Sequence, residues 1–201
     1  MNKKLGALLI ASSSTFGILL ACSPSTDTGQ MPDPVVPSYT VGGSVAGVSG
    51  TGLQLSLNGT ESLSVSAAGA FTFATKIKSG SQYTVSVKTQ PVNQTCTVTS
   101  GSGTVANANV TSVSVMCNTN TYTVGGTVAG LSGTLVLQNN GGDDLTVNAD
   151  GTFQFTTPVA VGGNYAVTVK TQPTTQLCAV TAGSGTISNG AVNNISVNCG
   201  T

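Results

Sequence analysis

The sequence has no histidine and no arginine, and only 6% of its 201 residues are charged. An ordinary globular domain carries roughly 25% charged residues. Without histidine the chain lacks the side chain that titrates near neutral pH and is the commonest metal ligand. Without arginine it has no bidentate clamp for a carboxylate or phosphate. These absences exclude much of enzymology, and we expect a protein that is not an enzyme and holds no cofactor.

The chain also lacks a basic excess. Its six lysines balance six acidic residues, so the formal net charge is zero. A protein that binds nucleic acid needs a basic surface to contact the phosphates. We therefore expect no nucleic-acid partner.

The first 21 residues have the pattern of an export signal. Lys3 and Lys4 precede an apolar and small-residue stretch at 5–20, which the polar run 12–15 interrupts. An interrupted stretch of this length is not typical of a helix that remains in the membrane. A short positive region followed by such a stretch indicates a signal peptide that is removed.

The signal ends in Leu-Leu-Ala-Cys, with the cysteine at position 22. This ending resembles the lipobox of bacterial lipoproteins. The resemblance implies cleavage after Ala21 and acylation of Cys22, whose acyl chains would anchor the protein in a lipid bilayer. Ser23 stands where an aspartate would mark inner-membrane retention, so the resemblance implies the bacterial outer membrane or cell surface. The alternative is an ordinary signal peptide with an incidental cysteine.

Residues 22–38 are predicted to form the lipidated cysteine and a proline-rich tether. This stretch holds four of the seven prolines and shows no apolar period. Proline favours the extended polyproline II conformation. At about 3.1 Å per residue, the tether could reach roughly 50 Å.

The remainder of the chain is a tandem repeat, with two similar copies of one sequence. Residues 39–117 and 122–199 align with 43 identical pairs in 78 once Gly52 is treated as an insertion. A repeat of this length is too long for a solenoid unit and suits an independent domain. We refer to the two copies as repeat 1 and repeat 2, and to residues 118–121 as the linker.

Each repeat is predicted to be all-β. Apolar residues alternate with small or polar ones in short segments, which Gly, Asn, Asp and Pro separate, and no segment shows the 3.6-residue period of a helix. About seven short strands per repeat predict two tandem antiparallel β-sandwich domains. In repeat 2 the alternating residues are Tyr122, Val124, Val128, Leu135, Leu137, Leu145, Val147, Phe153, Phe155, Tyr165, Val167, Val169, Cys178, Val180, Ile195, Val197 and Cys199.

Three segments of repeat 2 carry a family resemblance. They are a Gly-x-Val-x-Gly run at 126–130, Asp-Gly-Thr-Phe-Gln-Phe at 150–155 and Tyr-Ala-Val-Thr-Val at 165–169. This order resembles prealbumin-like surface β-sandwich domains, a broad Ig-like group that includes carboxypeptidase regulatory-like and Cna B-type modules. The resemblance spans residues 122–172, and 39–90 in repeat 1, and it implies a sandwich fold displayed at a bacterial surface.

The five cysteines divide into one anchor and two equivalent pairs. With Cys22 assigned to the lipid, Cys96 and Cys117 correspond to Cys178 and Cys199 at the same offset. Four cysteines allow three pairings in an oxidising compartment, and the duplication selects one disulfide inside each repeat. The alternation of side chains along the strands supports the same pairing, since it places both cysteines of a pair on inward-facing positions. A redox or metal pair is disfavoured because the spacing is not that of metal ligands.

Oxygen-bearing side chains gather near one turn of repeat 2. Asp143, Asp144 and Asp150 are weak candidates for a calcium site, which requires six to eight oxygen ligands. Most of these carboxylates are missing at the matching positions of repeat 1. A turn-forming cluster is therefore favoured, and no metal is expected.

Lys88 and Lys170 occupy the same position in the shared Val-Lys-Thr-Gln-Pro segment. Cna B-type modules join a lysine to an Asn or Asp through an isopeptide bond, but there the lysine lies in an early strand. These two lie late in the repeat. We expect solvated lysines that discourage edge-to-edge pairing of sheets.

The sequence thus predicts a membrane-anchored surface lipoprotein that acts as a structural spacer or as an adhesive or presentation scaffold. Identity between the copies runs through strands and turns alike, which favours a spacer. The alternative is a module that binds a ligand or protein through loops 139–144 and 158–164, where the copies differ. Every aromatic residue after the signal follows the period of a strand, so none is spare for stacking on a sugar ring.

Overall fold

The computed structural model describes residues 35–201, which consist of strands, turns and bends. The predicted export signal, Cys22 and all but the last residues of the tether lie outside the described residues. In residues 35–201 there is no helix long and apolar enough to cross a membrane. The strands of repeat 1 are β1 (Ser38–Tyr39), β2 (Val41–Ala46), β3 (Leu53–Leu57), β4 (Glu61–Val65), β5 (Gly69–Thr72), β6 (Ile77–Lys78), β7 (Gln82–Thr89), β8 (Gln94–Thr99), β9 (Ser102–Thr104) and β10 (Val110–Thr119).

Repeat 2 carries the same ten strands in the same order. Equivalent strands differ in number by ten. They are β11 (Thr121–Tyr122), β12 (Val124–Ala129), β13 (Leu135–Asn139), β14 (Asp143–Val147), β15 (Gly151–Gln154), β16 (Val159–Ala160), β17 (Asn164–Thr171), β18 (Leu177–Thr181), β19 (Ser184–Thr186) and β20 (Val192–Gly200).

Each repeat consists of two four-stranded sheets and a two-stranded ribbon. In repeat 1 the sheet orders are β5-β2-β10-β8 and β4-β3-β7-β9, and the ribbon is β1-β6. Repeat 2 has the orders β15-β12-β20-β18, β14-β13-β17-β19 and β11-β16. The all-β sandwich prediction is confirmed. The structure has ten strands per repeat, where the sequence predicted about seven. The additional ones are the two-residue ribbon strands and the Ser-Gly-Thr strand, which are too short to show an alternating period.

One pairing in each repeat is parallel. Strand β10 pairs with β2 in parallel, and β20 pairs with β12 in the same way. The other strand pairings in residues 35–201 are antiparallel, as predicted. Glycines allow the close approach: a Cβ added at Gly43 would lie 1.7 Å from the carbonyl oxygen of Val113. At Gly126 it would lie 1.9 Å from the carbonyl oxygen of Ile195.

The core of each repeat is a separate cluster of inward-facing side chains. Alternate residues of β3 and β13 are fully buried, as the period-two pattern predicts. Phe71 and Phe73 meet edge to face with ring centroids 5.8 Å apart, and Phe153 and Phe155 repeat the contact at 5.9 Å. Such pairs stabilise a core beyond the area they bury. The other aromatic residues of 35–201 also belong to these clusters, namely Tyr39, Tyr83, Tyr122 and Tyr165.

Both predicted disulfides are present. Cys96 of β8 is bonded to Cys117 of β10, and Cys178 of β18 is bonded to Cys199 of β20. Each bond joins neighbouring antiparallel strands of one sheet, inside one repeat.

The junction between the repeats is a single hydrogen-bonded residue. Strand β10 ends at Thr119 and β11 begins at Thr121, so only Asn120 lies outside a strand. The amide of Asn120 donates to the carbonyl of Asn93 at 2.9 Å, and its carbonyl accepts from the amide of Val161 at 3.0 Å. The side-chain oxygen of Asn120 also accepts from the Thr95 hydroxyl. The predicted linker is thus largely strand.

Candidate functional site

The two variable loops of repeat 2 meet in one depression. Loops 139–144 and 158–164 border a hollow of about 280 Å³ at the end of β13. The sequence singled out both loops, and the structure brings them together. The hollow is lined by Asn139, Asn140, Gly142, Asp143, Thr157 and Val159.

Hydrogen bonds to the backbone build the wall of this hollow. Asn139 is buried, and its Oδ1 accepts from the amide of Ala166 at 3.1 Å. Asn140 adopts a positive φ of 51°, which asparagine tolerates better than most residues, and its Nδ2 donates to the carbonyl of Asn164. The polar atoms of the wall therefore hold the loop in shape and leave few groups free to bind a ligand.

One carboxylate ties the two loops together in each repeat. In repeat 2 the Oδ2 of Asp143 accepts from the amide of Thr157 at 3.2 Å. In repeat 1 the equivalent Glu61 accepts from the amides of Ala74 and Thr75, at 2.8 and 3.0 Å. Burial acts to raise the pKa of Glu61, but the hydrogen bonds from Thr75 and Ala74 outweigh it, so the pKa lies below its usual value.

Asp144 forms an ion pair with Lys170. The two groups lie on β14 and β17, on either side of β13, and both are partly exposed. Gln138 of β13 donates to the other oxygen of Asp144. The hydrogen bonds from Lys170 and Gln138 lower the pKa of Asp144. In repeat 1 the Nζ of Lys88 donates to the Ser62 hydroxyl at 2.7 Å.

These contacts revise the expectation for the two lysines. Both side chains are exposed, but each has a partner in its own sheet. They lie on β7 and β17, whose pairing with β9 and β19 covers only residues 82–84 and 164–166. Near each lysine the strand is therefore paired on one side only, with β3 or β13.

Asp150 caps a different loop. Its two carboxylate oxygens accept from the amides of Gly130 and Leu131, at 3.0 and 2.7 Å. The three weak metal candidates therefore bind three separate sets of donors. From residue 35 onward the structure contains no cluster of three His, Cys, Asp or Glu side chains that could hold a metal ion.

Two glutamines in each repeat form clamps that the sequence pattern did not predict. The Oε1 of Gln90 accepts from the amide of Cys96, and its Nε2 donates to the carbonyl of the same residue, at 2.7 and 3.0 Å. Gln172 holds Cys178 in the same way, at 2.8 and 3.0 Å. One amide side chain thus takes the place of a neighbouring strand for the backbone of each cysteine.

The second glutamine of each repeat holds a turn. Gln94 is buried, accepts from the amides of Ser49 and Gly50, and donates to the carbonyl of Gly47. Gln176 accepts from the Ser132 amide and donates to the Gly130 carbonyl. The signal was available in the sequence, because both repeats contain Gln-Pro-x-x-Gln-x-Cys, at 90–96 and 172–178.

Two further grooves lie at positions that are not equivalent. One, of about 330 Å³, follows the edge strands β4 and β5 of repeat 1 and is lined by residues 63–72. The other, of about 380 Å³, is lined by residues 172–177 and Thr201 of repeat 2. Neither contains a charged side chain.

Comparison with known proteins supports the fold alone. No family model matches the sequence, and no curated protein matches it. Among solved structures, the Bacillus anthracis TIE protein is similar to this chain, with a TM-score of 0.55 and 12% sequence identity. The similarity covers 81% of this chain and 34% of that one, so this chain spans about a third of the length of its structural neighbour.

Proposed function

We propose that this chain is a bacterial surface lipoprotein, anchored in the outer membrane through acylated Cys22, whose two repeats serve as a structural spacer and presentation scaffold. The observation that carries the proposal is the equivalence of the repeats. They share sheet order, strand register, disulfide position and glutamine clamps. What the two copies hold in common is architecture, whereas the three grooves described above lie at positions that are not equivalent.

The junction supports the same role. A spacer keeps its length only if the connection between its units resists bending. Asn120 contacts Asn93 and Thr95 on one side and Val161 on the other. These hydrogen bonds restrict the backbone at the one residue of the linker that lies outside a strand.

The anchor is tested in cells with the full chain. Cys22→Ser should abolish incorporation of labelled palmitate and release the protein from membranes. A matched control is Ser23→Ala, which keeps the cysteine and should leave labelling unchanged. Labelled palmitate on the Cys22→Ser protein, or unchanged membrane pelleting, would contradict the lipoprotein proposal.

The spacer role is tested by exchanging one repeat for the other. A chain in which repeat 2 is replaced by a second repeat 1 should keep the accessibility of a C-terminal epitope on intact cells. A chain that lacks repeat 2 should reduce that accessibility, since the epitope lies nearer the membrane. Equal accessibility with one repeat and with two would contradict a spacer.

A second candidate function is binding through the hollow of repeat 2. The meeting of loops 139–144 and 158–164 favours it. Replacing both loops with residues 57–62 and 76–82 of repeat 1 should remove cross-linked partners from a pull-down on intact cells if the hollow binds them. An unchanged set of partners would contradict the binding module and favour the spacer.

A further inference from the structure

Charge is divided unequally between the two repeats. Repeat 1 contains Lys76, Lys78 and Lys88 against Glu61, which gives a net charge of +2. Repeat 2 contains one lysine, Lys170, against Asp143, Asp144 and Asp150, which gives −2. The neutral total therefore conceals a basic repeat next to the tether and an acidic repeat beyond it.

Two of the basic residues lie where the chain enters repeat 1. Ribbon strand β6 consists of Ile77 and Lys78, with Lys76 directly before it. Ile77 packs against the core, so the alternation of a strand directs Lys76 and Lys78 to the opposite, exposed side. Lys78 is paired with Ser38 of β1, and the following amide, of Ser79, donates to the carbonyl of Pro37 at 2.8 Å.

Neither of these lysines is neutralised by a neighbour in the described residues. The salt bridge found in residues 35–201 joins Lys170 to Asp144, in the other repeat. Glu61, the one acidic residue of repeat 1, accepts from the amides of Ala74 and Thr75 and forms no salt bridge with either lysine. The two ammonium groups are thus available to an external anion.

Repeat 2 provides an internal comparison. Its ribbon β11-β16 has the same geometry, but Pro158 and Ala160 replace the two lysines. That ribbon lies at the junction, where the amide of Val161 donates to Asn120. The lysines are therefore present in repeat 1, at the end that follows the tether. They are absent from the equivalent end of repeat 2, which follows repeat 1.

We propose that Lys76 and Lys78 dock the tether end of repeat 1 onto the anionic phospholipid headgroups of the bilayer that holds the anchor. This inference rests on the proposed anchoring of Cys22. Each lysine near an anionic surface strengthens binding about fivefold, which is too little to recruit a free protein. A tether changes this, because it holds the repeat at a high effective concentration beside the bilayer. The net −2 of repeat 2 directs that repeat away from the same surface.

The experiment uses the processed chain, residues 22–201, coupled through Cys22 to a maleimide lipid. The other four cysteines are in disulfides, so Cys22 supplies the one free thiol, and the coupling does not depend on acylation in the cell. Vesicles of pure phosphatidylcholine are compared with vesicles that contain phosphatidylglycerol. Neither lipid has a primary amine that would react with the label. An amine-reactive reagent then labels the lysines, and mass spectrometry gives the rate at each position.

Lys88 is the internal control on the same repeat. It lies on β7, and its ammonium donates to the Ser62 hydroxyl of β4, whereas Lys78 lies on ribbon strand β6 and Lys76 directly before it. On phosphatidylglycerol vesicles we expect labelling of Lys76 and Lys78 to slow about threefold or more relative to Lys88. The slowing should disappear in about 0.5 M salt, where the Debye length falls to a few ångströms.

Several results would overturn the proposal. One is labelling of Lys76 and Lys78 that is no slower, relative to Lys88, on either kind of vesicle. A second is labelling that is slower than that of Lys88 by the same factor on both kinds of vesicle, which would indicate pairing of the two lysines with Asp27 and Asp33 of the tether. A third is slowing on neutral vesicles by inorganic phosphate alone, which would indicate a site for a free anion. All three are distinct from a failure of the unaltered chain to incorporate labelled palmitate in cells, which would contradict the proposed anchor.

Substitutions give a second measurement. On phosphatidylglycerol vesicles the amides of residues 76–81 should exchange with deuterium more slowly than on neutral vesicles. K76Q/K78Q should remove this difference, whereas K88Q, at half the charge change, should keep it. Persistence of the difference in K76Q/K78Q would contradict the docking by these side chains.

Discussion

Cys96 and Cys117 lie directly opposite each other on adjacent antiparallel strands, with their Cα atoms 3.9 Å apart. Cys178 and Cys199 have the same relationship and the same separation. In both cases the strands are part of one sheet, so each disulfide closes a long loop within a repeat without joining the two sheets. The loop spans 21 positions in each repeat.

The pairing predicts a simple result in a tryptic digest without reduction. Cleavage after Lys88 and Lys170 yields the fragments 89–170 and 171–201, each with one pair of cysteines. The two fragments should separate freely, each lighter by two hydrogens than after reduction. A covalent link between them would show that the disulfides join the repeats.

Reduction should destabilise each repeat by roughly 3 kcal/mol, because an open loop of this length regains conformational entropy on unfolding. A small domain has little stability to spare, so we expect the thermal midpoint to fall by about 10 °C or more. Calorimetry with and without a dithiol reagent measures the shift, with thiol titration as the control for complete reduction. An unchanged midpoint with free thiols present would contradict a stabilising role.

Gly126→Ala should unfold repeat 2 or lower its free energy of unfolding by about 3 kcal/mol or more, because the new methyl group would overlap the carbonyl of Ile195. Gly142→Ala is the matched control. It lies in the same repeat with no atom within 4 Å of an added Cβ, and its φ is not positive. Urea unfolding should distinguish the two variants clearly. Equal stability would show that β12 and β20 are further apart than the structure has them.

The glutamine that holds a turn should contribute more to the free energy of unfolding in repeat 1 than in repeat 2. Gln94→Leu removes three hydrogen bonds at a buried position, with an expected cost of about 3 kcal/mol at roughly 1 kcal/mol per bond. Gln176→Leu removes two at a half-buried position, so about 2 kcal/mol or less is expected. Gln82→Leu, an exposed strand residue, serves as the control. A larger loss for Gln176→Leu in urea unfolding would contradict this order.

Glu61 should make repeat 1 less stable in acid. Its pKa is lower in the folded chain than its usual 4.5, so its contribution is complete above about pH 4.5 and is lost as the pH falls through the folded value. Glu61→Gln should therefore be less stable than the original chain at pH 7, and the difference should narrow below pH 4.5. Unfolding curves from pH 7 to pH 3 test this. A difference that stays constant over that range would rule out the carboxylate as its source.

The sequence predicted the features that repetition and parity encode. Phe71 and Phe73 follow a strand period and are buried, and Cys96 and Cys117 keep the offset of their counterparts. The parallel pairing of β2 with β10 was not predicted, because it joins segments about 70 residues apart and leaves no local pattern. Ribbon strands such as β1 were not predicted for a different reason, since two residues cannot display alternation.

The candidate site was predictable only in part. The difference between the repeats predicts the loops around Asn140 and Val159, and the structure places them side by side. The glutamines are not predicted by periodicity, because an amide side chain in a turn has no distinctive period. Their identity in both repeats indicated a shared structural task, but the sequence alone does not show which backbone groups they hold.

The parallel pairing has a consequence for a chain held at both ends. Strand β2 is entered from the N-terminal side and β10 leaves towards the C-terminus, so the two exits lie at opposite ends of the pair. A pulling force would therefore act along these strands in opposite directions and load their hydrogen bonds together in shear, instead of opening them one after another. The Cys96–Cys117 bond fastens β10 to β8 but leaves β2 free to slide. Resistance to extension in each repeat would thus depend on the β2–β10 interface, the one that Gly43 allows to close.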